Sequence, residues 1–90
     1  MNTVGLPGGD FVADGLRDLA LGRETLPSLL VSIGRPRLVS LGFDVAQGFA
    51  TPERKLYDLL AKEDSNSAHG RYNALIRRLV SFERAAACAQ

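Results

Sequence analysis

The sequence is poor in the residues that build disulfides and metal sites. Cys88 is the only cysteine and His69 is the only histidine. A single cysteine excludes an internal disulfide and a cysteine cluster around a metal, and one histidine is too few for a histidine-based metal site. We therefore expect neither a metal nor a cofactor, and we interpret Cys88 as a free thiol near the end of the last helix.

Long apolar runs are also missing. The longest approach to one, residues 29–33, is interrupted by Ser32, whereas a membrane-spanning helix needs about 20 predominantly apolar residues. The first ten residues are rich in glycine and contain neither a basic residue nor an apolar core, so they do not resemble a signal peptide. We expect no membrane association and a cytoplasmic location.

Sequence motifs that carry catalysis or phosphate binding are not found. Neither GxGxxG nor GxxxxGK[ST] occurs, which are the glycine patterns of nucleotide-binding loops. His69 follows Asp64, Ser65 and Ser67, but residues of these types just before a helix are typical of helix caps. The sequence therefore predicts a protein that is not an enzyme and has no catalytic residues.

The residues that are abundant predict helices. Hydrophobic residues make up 46% of the 90 residues, and leucine and alanine dominate them. Both favour helix over strand. A chain of this length buries roughly 60–65% of its unfolded surface, which is enough for one core. We predict an all-α fold, a compact bundle of four to five helices, in a single domain at residues 10–90 behind a flexible lead at residues 1–9.

Helical periodicity and capping residues divide this domain into segments. The predicted helices run over Phe11–Leu21 after an Asp10 cap, Leu26–Ile33 after Thr25, Pro36–Leu41, Pro52–Lys62 after Thr51, and Ala68–Ala87. Gly34 separates the second and third segments, and the pattern leaves open whether they form one kinked helix. Residues 43–50 have no helical period, and we predict a loop that docks Phe43, Val45 and Phe49 onto the core.

Charge is unevenly distributed along a chain whose net charge is only +1. Residues 1–34 carry two Arg against four Asp/Glu, and residues 35–90 carry nine Lys/Arg against six Asp/Glu. Much of the positive charge lies in the last predicted helix. The excess is smaller than a nucleic-acid-binding domain usually carries.

The last predicted helix is long and amphipathic. Its apolar residues at helical spacing are Tyr72, Leu75, Ile76, Leu79, Phe82 and Ala86. Arg71 and Arg78 lie on one border of this stripe, and Arg77 and Arg84 lie on the opposite flank. Two separate rows indicate a solvated face that frames a core stripe. Glu83 falls inside the apolar sector, where an unpaired carboxylate is costly. We therefore expect Arg35, Arg37 or a neighbouring subunit's arginine to lie beside it.

These patterns favour a protein that functions through protein–protein contacts, as a homodimer or as an accessory subunit. The apolar residues outnumber what one small core needs, and such a surplus often forms an interface. The predicted partner-binding residues all belong to the last helix: Tyr72, Phe82, Glu83, Arg71, Arg77, Arg78 and Arg84.

The alternative is a small nucleic-acid-binding regulator of the antitoxin or repressor type. Its basic residues would be Arg35, Arg37, Arg71, Arg77, Arg78 and Arg84. Residues 26–43 resemble a helix-turn-helix motif, with Gly34 at the turn. The second piece is shorter than two helical turns, however, and it lacks Asn, Gln and Lys to read bases.

Overall fold

Five helices joined by short connections make up the protein, which the computed structural model describes over residues 3–89. They are α1 (Gly9–Ala20), α2 (Leu26–Ile33), α3 (Arg35–Ser40), α4 (Pro52–Glu63) and α5 (Ala68–Cys88). Residues 3–89 contain no strand. The predicted all-α class is therefore confirmed, and so is a long C-terminal helix.

The start of α2 shows how local sequence determines a helix end. The Thr25 hydroxyl oxygen accepts a hydrogen bond from the backbone N–H of Ser28, and the Ser28 hydroxyl oxygen accepts one from the N–H of Thr25 at 2.8 Å. This reciprocal pair satisfies two N–H groups that the helix leaves unbonded. Thr25 also donates to Asp18 Oδ2 at 2.8 Å, so the same residue joins α1 to α2.

Of the two other predicted caps, Asp10 is wrong, and Thr51 has the predicted position but makes no side-chain hydrogen bond. The N-cap of α1 is Gly8, with φ of 73°, and Asp10 lies inside the first turn instead. Arg78 of α5 approaches Gly8 so closely that a Cβ there would lie 3.3 Å from Arg78 Cγ. Tertiary packing and a left-handed backbone therefore determine this end. Thr51 does precede α4, but its φ is 47° and its side chain makes no capping hydrogen bond.

The second and third predicted segments are separate helices. Gly34 ends α2 and precedes α3. A Cβ at Gly34 would lie 2.9 Å from Leu79 Cδ2 and 3.1 Å from Glu83 Oε2. The glycine thus allows α5 to pass against the α2–α3 junction, and this contact brings the C-terminal half of α5 beside α3.

The connection between α3 and α4 covers the core, as predicted. Phe43 and Val45 are buried, and Phe49 is half-buried. Hydrogen bonds also hold the backbone of this segment: the N–H of Phe49 donates to Ser32 Oγ at 2.7 Å, and Arg35 Nε donates to the carbonyl oxygen of Ala46 at 2.9 Å.

The core consists of two groups of buried side chains that α2 and α5 share. One group contains Val12, Val31, Leu38, Phe43 and Phe82, and the other contains Leu29, Leu30, Leu56, Leu60 and Leu79, each with further members. α2 contributes Leu29, Leu30 and Val31 in succession, so it is buried on several sides. None of the helices within residues 3–89 has both the length and the hydropathy that a bilayer crossing requires.

Candidate functional site

The inward face of α5 is part of the core. Phe82 is fully buried, with its ring centroid 5.5 Å from that of Phe43. We predicted Phe82 on a partner-binding surface, and the structure corrects this placement, because the ring has no exposed area in the folded chain. Helical periodicity had placed Phe82 in the apolar stripe, but it does not tell which part of a stripe faces the core.

The outward border of that stripe carries a pair of tyrosines. Tyr72 of α5 and Tyr57 of α4 have ring centroids 5.8 Å apart, with an angle of 57° between the ring planes. Tyr57 is 38% exposed, and Tyr72 is half-buried. A tilted pair at this distance is a favourable ring arrangement. The two rings form an aromatic ridge where α4 meets α5.

Two aliphatic side chains continue this ridge along α5. Tyr72, Ile76 and Val80 are four residues apart, and such residues lie on one side of a helix. Ile76 is half-buried, and Val80 is 36% exposed. Val80 lies two residues before Phe82, so it projects from nearly the opposite side of the helix. Val80 therefore faces solvent.

The four arginines of α5 differ in what they contact. Arg71 forms an ion pair with Glu63 of α4, with Nη1 and Oε1 2.9 Å apart. Arg78 stacks on α1, with Cζ 5.0 Å from the centroid of the Phe11 ring, a cation–π contact. The two rows predicted from the sequence thus have different environments, since the row of Arg71 and Arg78 contacts neighbouring helices.

The other row faces solvent. Arg77 Nε makes one long hydrogen bond, 3.4 Å, to the carbonyl oxygen of Asn73 in the preceding turn. Arg84 forms neither a hydrogen bond nor an ion pair through its side chain with any residue in the range 3–89. Both arginines are exposed. They lie seven residues apart beside Val80, and neither is neutralised by a carboxylate of this part of the chain.

Glu83 lies at the α2–α3 junction, on the side of the ridge opposite Arg77. Burial raises the pKa of the Glu83 carboxyl group, and the nearby Arg37 guanidinium lowers it by less. The expected cation is therefore Arg37, but the two groups do not form an ion pair. Arg35 uses its guanidinium on the carbonyl oxygens of Val45 and Ala46 instead.

We name the outward-facing set the α4–α5 surface. It consists of Tyr57, Tyr72, Ile76, Val80, Arg77 and Arg84. The prediction from sequence included three of these residues: Tyr72, Arg77 and Arg84. It missed Tyr57, Ile76 and Val80 as members, although the surplus of apolar residues indicated that some would remain outside the core.

A shallow groove of about 270 Å³ lies between the start of α2 and α4. Its lining residues are Glu24, Leu29, Lys55, Asp58, Leu59 and Lys62. Glu24 and Lys55 pair across it at 3.4 Å. The lining has two acids and two lysines, so it offers no charge preference to a ligand. The α4–α5 surface is chemically more distinctive.

The polar residues before His69 form the turn between α4 and α5. Asp64 Oδ1 accepts a hydrogen bond from the N–H of Asn66 at 3.0 Å, and a His69 ring nitrogen lies 3.2 Å from Asn73 Nδ2. His69 thus bonds to an amide in its own helix. Across residues 3–89, no three His, Cys, Asp or Glu side chains lie close enough to share a metal ion.

Comparison of the chain with protein-family models, with curated proteins and with solved structures finds no significant match.

Proposed function

We propose that this protein functions by binding another protein molecule through the α4–α5 surface, as an accessory subunit or by self-association, and that it is not an enzyme. The observation that carries the proposal is the half-exposed pair of Tyr57 and Tyr72, which Ile76 and Val80 continue along α5. Two unpaired arginines, Arg77 and Arg84, lie beside Val80. Tyrosine and arginine are enriched among the residues that dominate binding energy at protein interfaces.

The energetics of the ridge support binding. Tyr57 and Val80 each expose more than a third of their area, and covering apolar surface contributes about 25 cal/mol per Å². The Tyr57 and Tyr72 rings already contact each other, so less side-chain freedom remains to be lost when a partner covers them. An ordered aromatic pair is thus well suited to anchor a partner.

The acid–base groups support a role outside catalysis. General acid–base or nucleophilic catalysis needs a base held against a nucleophile or an orienting carboxylate. His69 is exposed, and its ring hydrogen-bonds only Asn73 among residues 3–89. Glu83, whose pKa is raised, lies half-buried beside Gly34 at the α2–α3 junction.

The solvent-exposed arginines are compatible with one alternative function, that of a nucleic-acid-binding regulator. Arg77, Arg78 and Arg84 pair with no carboxylate of residues 3–89. Two other basic residues that this alternative would use already have partners within the chain, since Arg71 pairs with Glu63 and Arg35 binds backbone carbonyls. α3 has only six residues, which is short for a recognition helix. Affinity for DNA or RNA that falls steeply with added salt would favour this alternative.

We place this function in the cytoplasm. Cys88 is exposed as a free thiol, and exposed unpaired thiols persist in reducing compartments.

Site-specific photo-crosslinking tests the proposal. A photoreactive phenylalanine analogue replaces Tyr57 in one sample and Leu21, which is 60% exposed at the end of α1, in the control. In the lysate of cells that express the protein, position 57 is expected to crosslink a defined protein, and position 21 is not. Equal yields at the two positions, or no protein crosslinked at position 57, would contradict the proposal.

A further inference from the structure

The partner's charge can be inferred from the α4–α5 surface. Arg77 and Arg84 lie on its border, two helical turns apart, and Arg54 lies three residues before Tyr57 on α4. None of the three forms an ion pair with any residue in the range 3–89. By contrast, Arg71 at the end of the ridge is neutralised by Glu63. Glu53, four residues before Tyr57 on the same side of α4, is an exposed carboxylate that also forms no ion pair within residues 3–89. The ridge is therefore bordered by three unpaired arginines against one unpaired carboxylate, which is a net positive charge.

We propose that the occupant of this surface is an acidic amphipathic helix of a different protein, an inference that rests on the proposed protein-binding function. Its apolar side would cover Tyr57, Tyr72 and Val80, and its carboxylates would pair with Arg77 and Arg84. Carboxylates seven residues apart on a helix are separated by about 10.5 Å along its axis, which equals the separation of the two arginine positions on α5. Bidentate arginine–carboxylate pairs add specificity to such contacts.

A second copy of this chain matches the surface poorly. In an antiparallel pair of α5 helices centred midway between Val80 and Ser81, Arg77 and Arg84 lie equally far from the centre. Residues equally far from the centre meet across an antiparallel pair, so the arginines of the two copies would face each other. α5 has only one carboxylate, Glu83, and it is half-buried at the α2–α3 junction. Like charges in contact destabilise an interface.

A nucleic acid also matches the surface less well. Phosphates would pair with Arg77 and Arg84, but they would leave the exposed area of Val80 and Tyr57 facing charge and water. Proteins that bind single strands place aromatic faces in an electropositive groove. Here the tyrosines and the aliphatic side chains form a ridge at the junction of two helices.

The experiment begins from the segment crosslinked at position 57, which peptide mass spectrometry identifies. A synthetic peptide of that segment is titrated against the full chain, against Arg77→Glu/Arg84→Glu, and against a matched control, Arg23→Glu/Lys62→Glu. The control changes two exposed cations outside the α4–α5 surface, and neither forms an ion pair among residues 3–89. Circular dichroism checks that each variant is folded.

The segment is expected to be helical and rich in Asp and Glu. Charge reversal at Arg77 and Arg84 should weaken binding about tenfold or more, the control should change it less than about twofold, and the neutral pair Arg77→Gln/Arg84→Gln should give an intermediate loss. Added salt should weaken wild-type binding, because exposed charge pairs are screened.

Three results would overturn this inference and leave protein binding intact: a segment without excess carboxylates, a crosslink to a second copy of this chain, or equal effects of the two charge-reversal variants. A crosslink to nucleic acid, or no crosslink at position 57, would overturn the proposed function as well.

Discussion

At the scale of single residues, Gly34 and Gly70 contribute to the fold in different ways. A Cβ at Gly34 would lie 2.9 Å from Leu79 Cδ2 and 3.1 Å from Glu83 Oε2, whereas a Cβ at Gly70 would meet nothing within 4 Å. Gly34 therefore permits helix packing, and Gly70 only lowers the helix propensity of α5.

We expect Gly34→Ala to lower the free energy of unfolding by roughly 1–3 kcal/mol, because the added methyl group overpacks the contact with α5. The control Gly70→Ala should raise it by about 0.5–1 kcal/mol. Urea denaturation measures both. Equal effects at the two glycines would contradict the close approach of α5 to Gly34.

A second residue-scale prediction concerns Glu83. Burial raises the pKa of its carboxyl group above the ordinary 4.5, against a weaker lowering by Arg37. The folded state therefore binds this proton more tightly than the unfolded state does. The resulting contribution to stability is fully present below the unfolded pKa and is lost as the pH rises through the folded pKa.

Glu83→Gln should accordingly raise the free energy of unfolding at neutral pH, and the difference from wild type should shrink as the pH falls through the folded pKa towards 4.5 and stay constant below it. Urea denaturation at several pH values measures this difference. A glutamine variant that is less stable than wild type at neutral pH would show that Arg37 outweighs the cost of burial.

At the scale of the helices, periodicity and capping residues together predict the bounds of α2, α4 and α5 closely. The predicted bounds of α2 match the structure, and those of α4 and α5 differ from it by one residue at one end. The cap of α1 was wrong because Gly8 adopts a left-handed backbone against Arg78. Helical spacing is a local property, whereas this cap depends on a residue seventy positions away.

The same distinction explains which part of the candidate surface was predictable. Tyr72, Arg77 and Arg84 could be identified from the period of α5 alone. Tyr57 belongs to α4 and comes beside Tyr72 only when α4 packs on α5. The burial of Phe82 depends on Phe43, which a connection without regular structure brings to it.

The two faces of α5 give the element-scale prediction. Phe82→Ala should lower the free energy of unfolding by about 3–5 kcal/mol, because it removes a fully buried ring and leaves a cavity. Val80→Ala, two residues away on an exposed position, should change it by less than about 0.5 kcal/mol. Chemical denaturation compares them. Similar losses would mean that Val80 also packs in the core.

At the scale of the whole molecule, apolar packing stabilises the fold and charge remains available for binding. The three ion pairs among residues 3–89 are all partly exposed, and such pairs contribute about 0–1 kcal/mol each. Buried leucines, valines and phenylalanines from every helix form the core instead. Most of the arginines are thus free of a structural ion pair, and two of them border the aromatic ridge.

The central claim is that α5 folds the protein with one face and binds a partner with the other. The most direct test compares photo-crosslinking from position 57, on the α4–α5 surface, with crosslinking from position 21 at the far end of α1. The account predicts one defined protein product from position 57 and none from position 21. Indistinguishable product patterns from the two positions would contradict it.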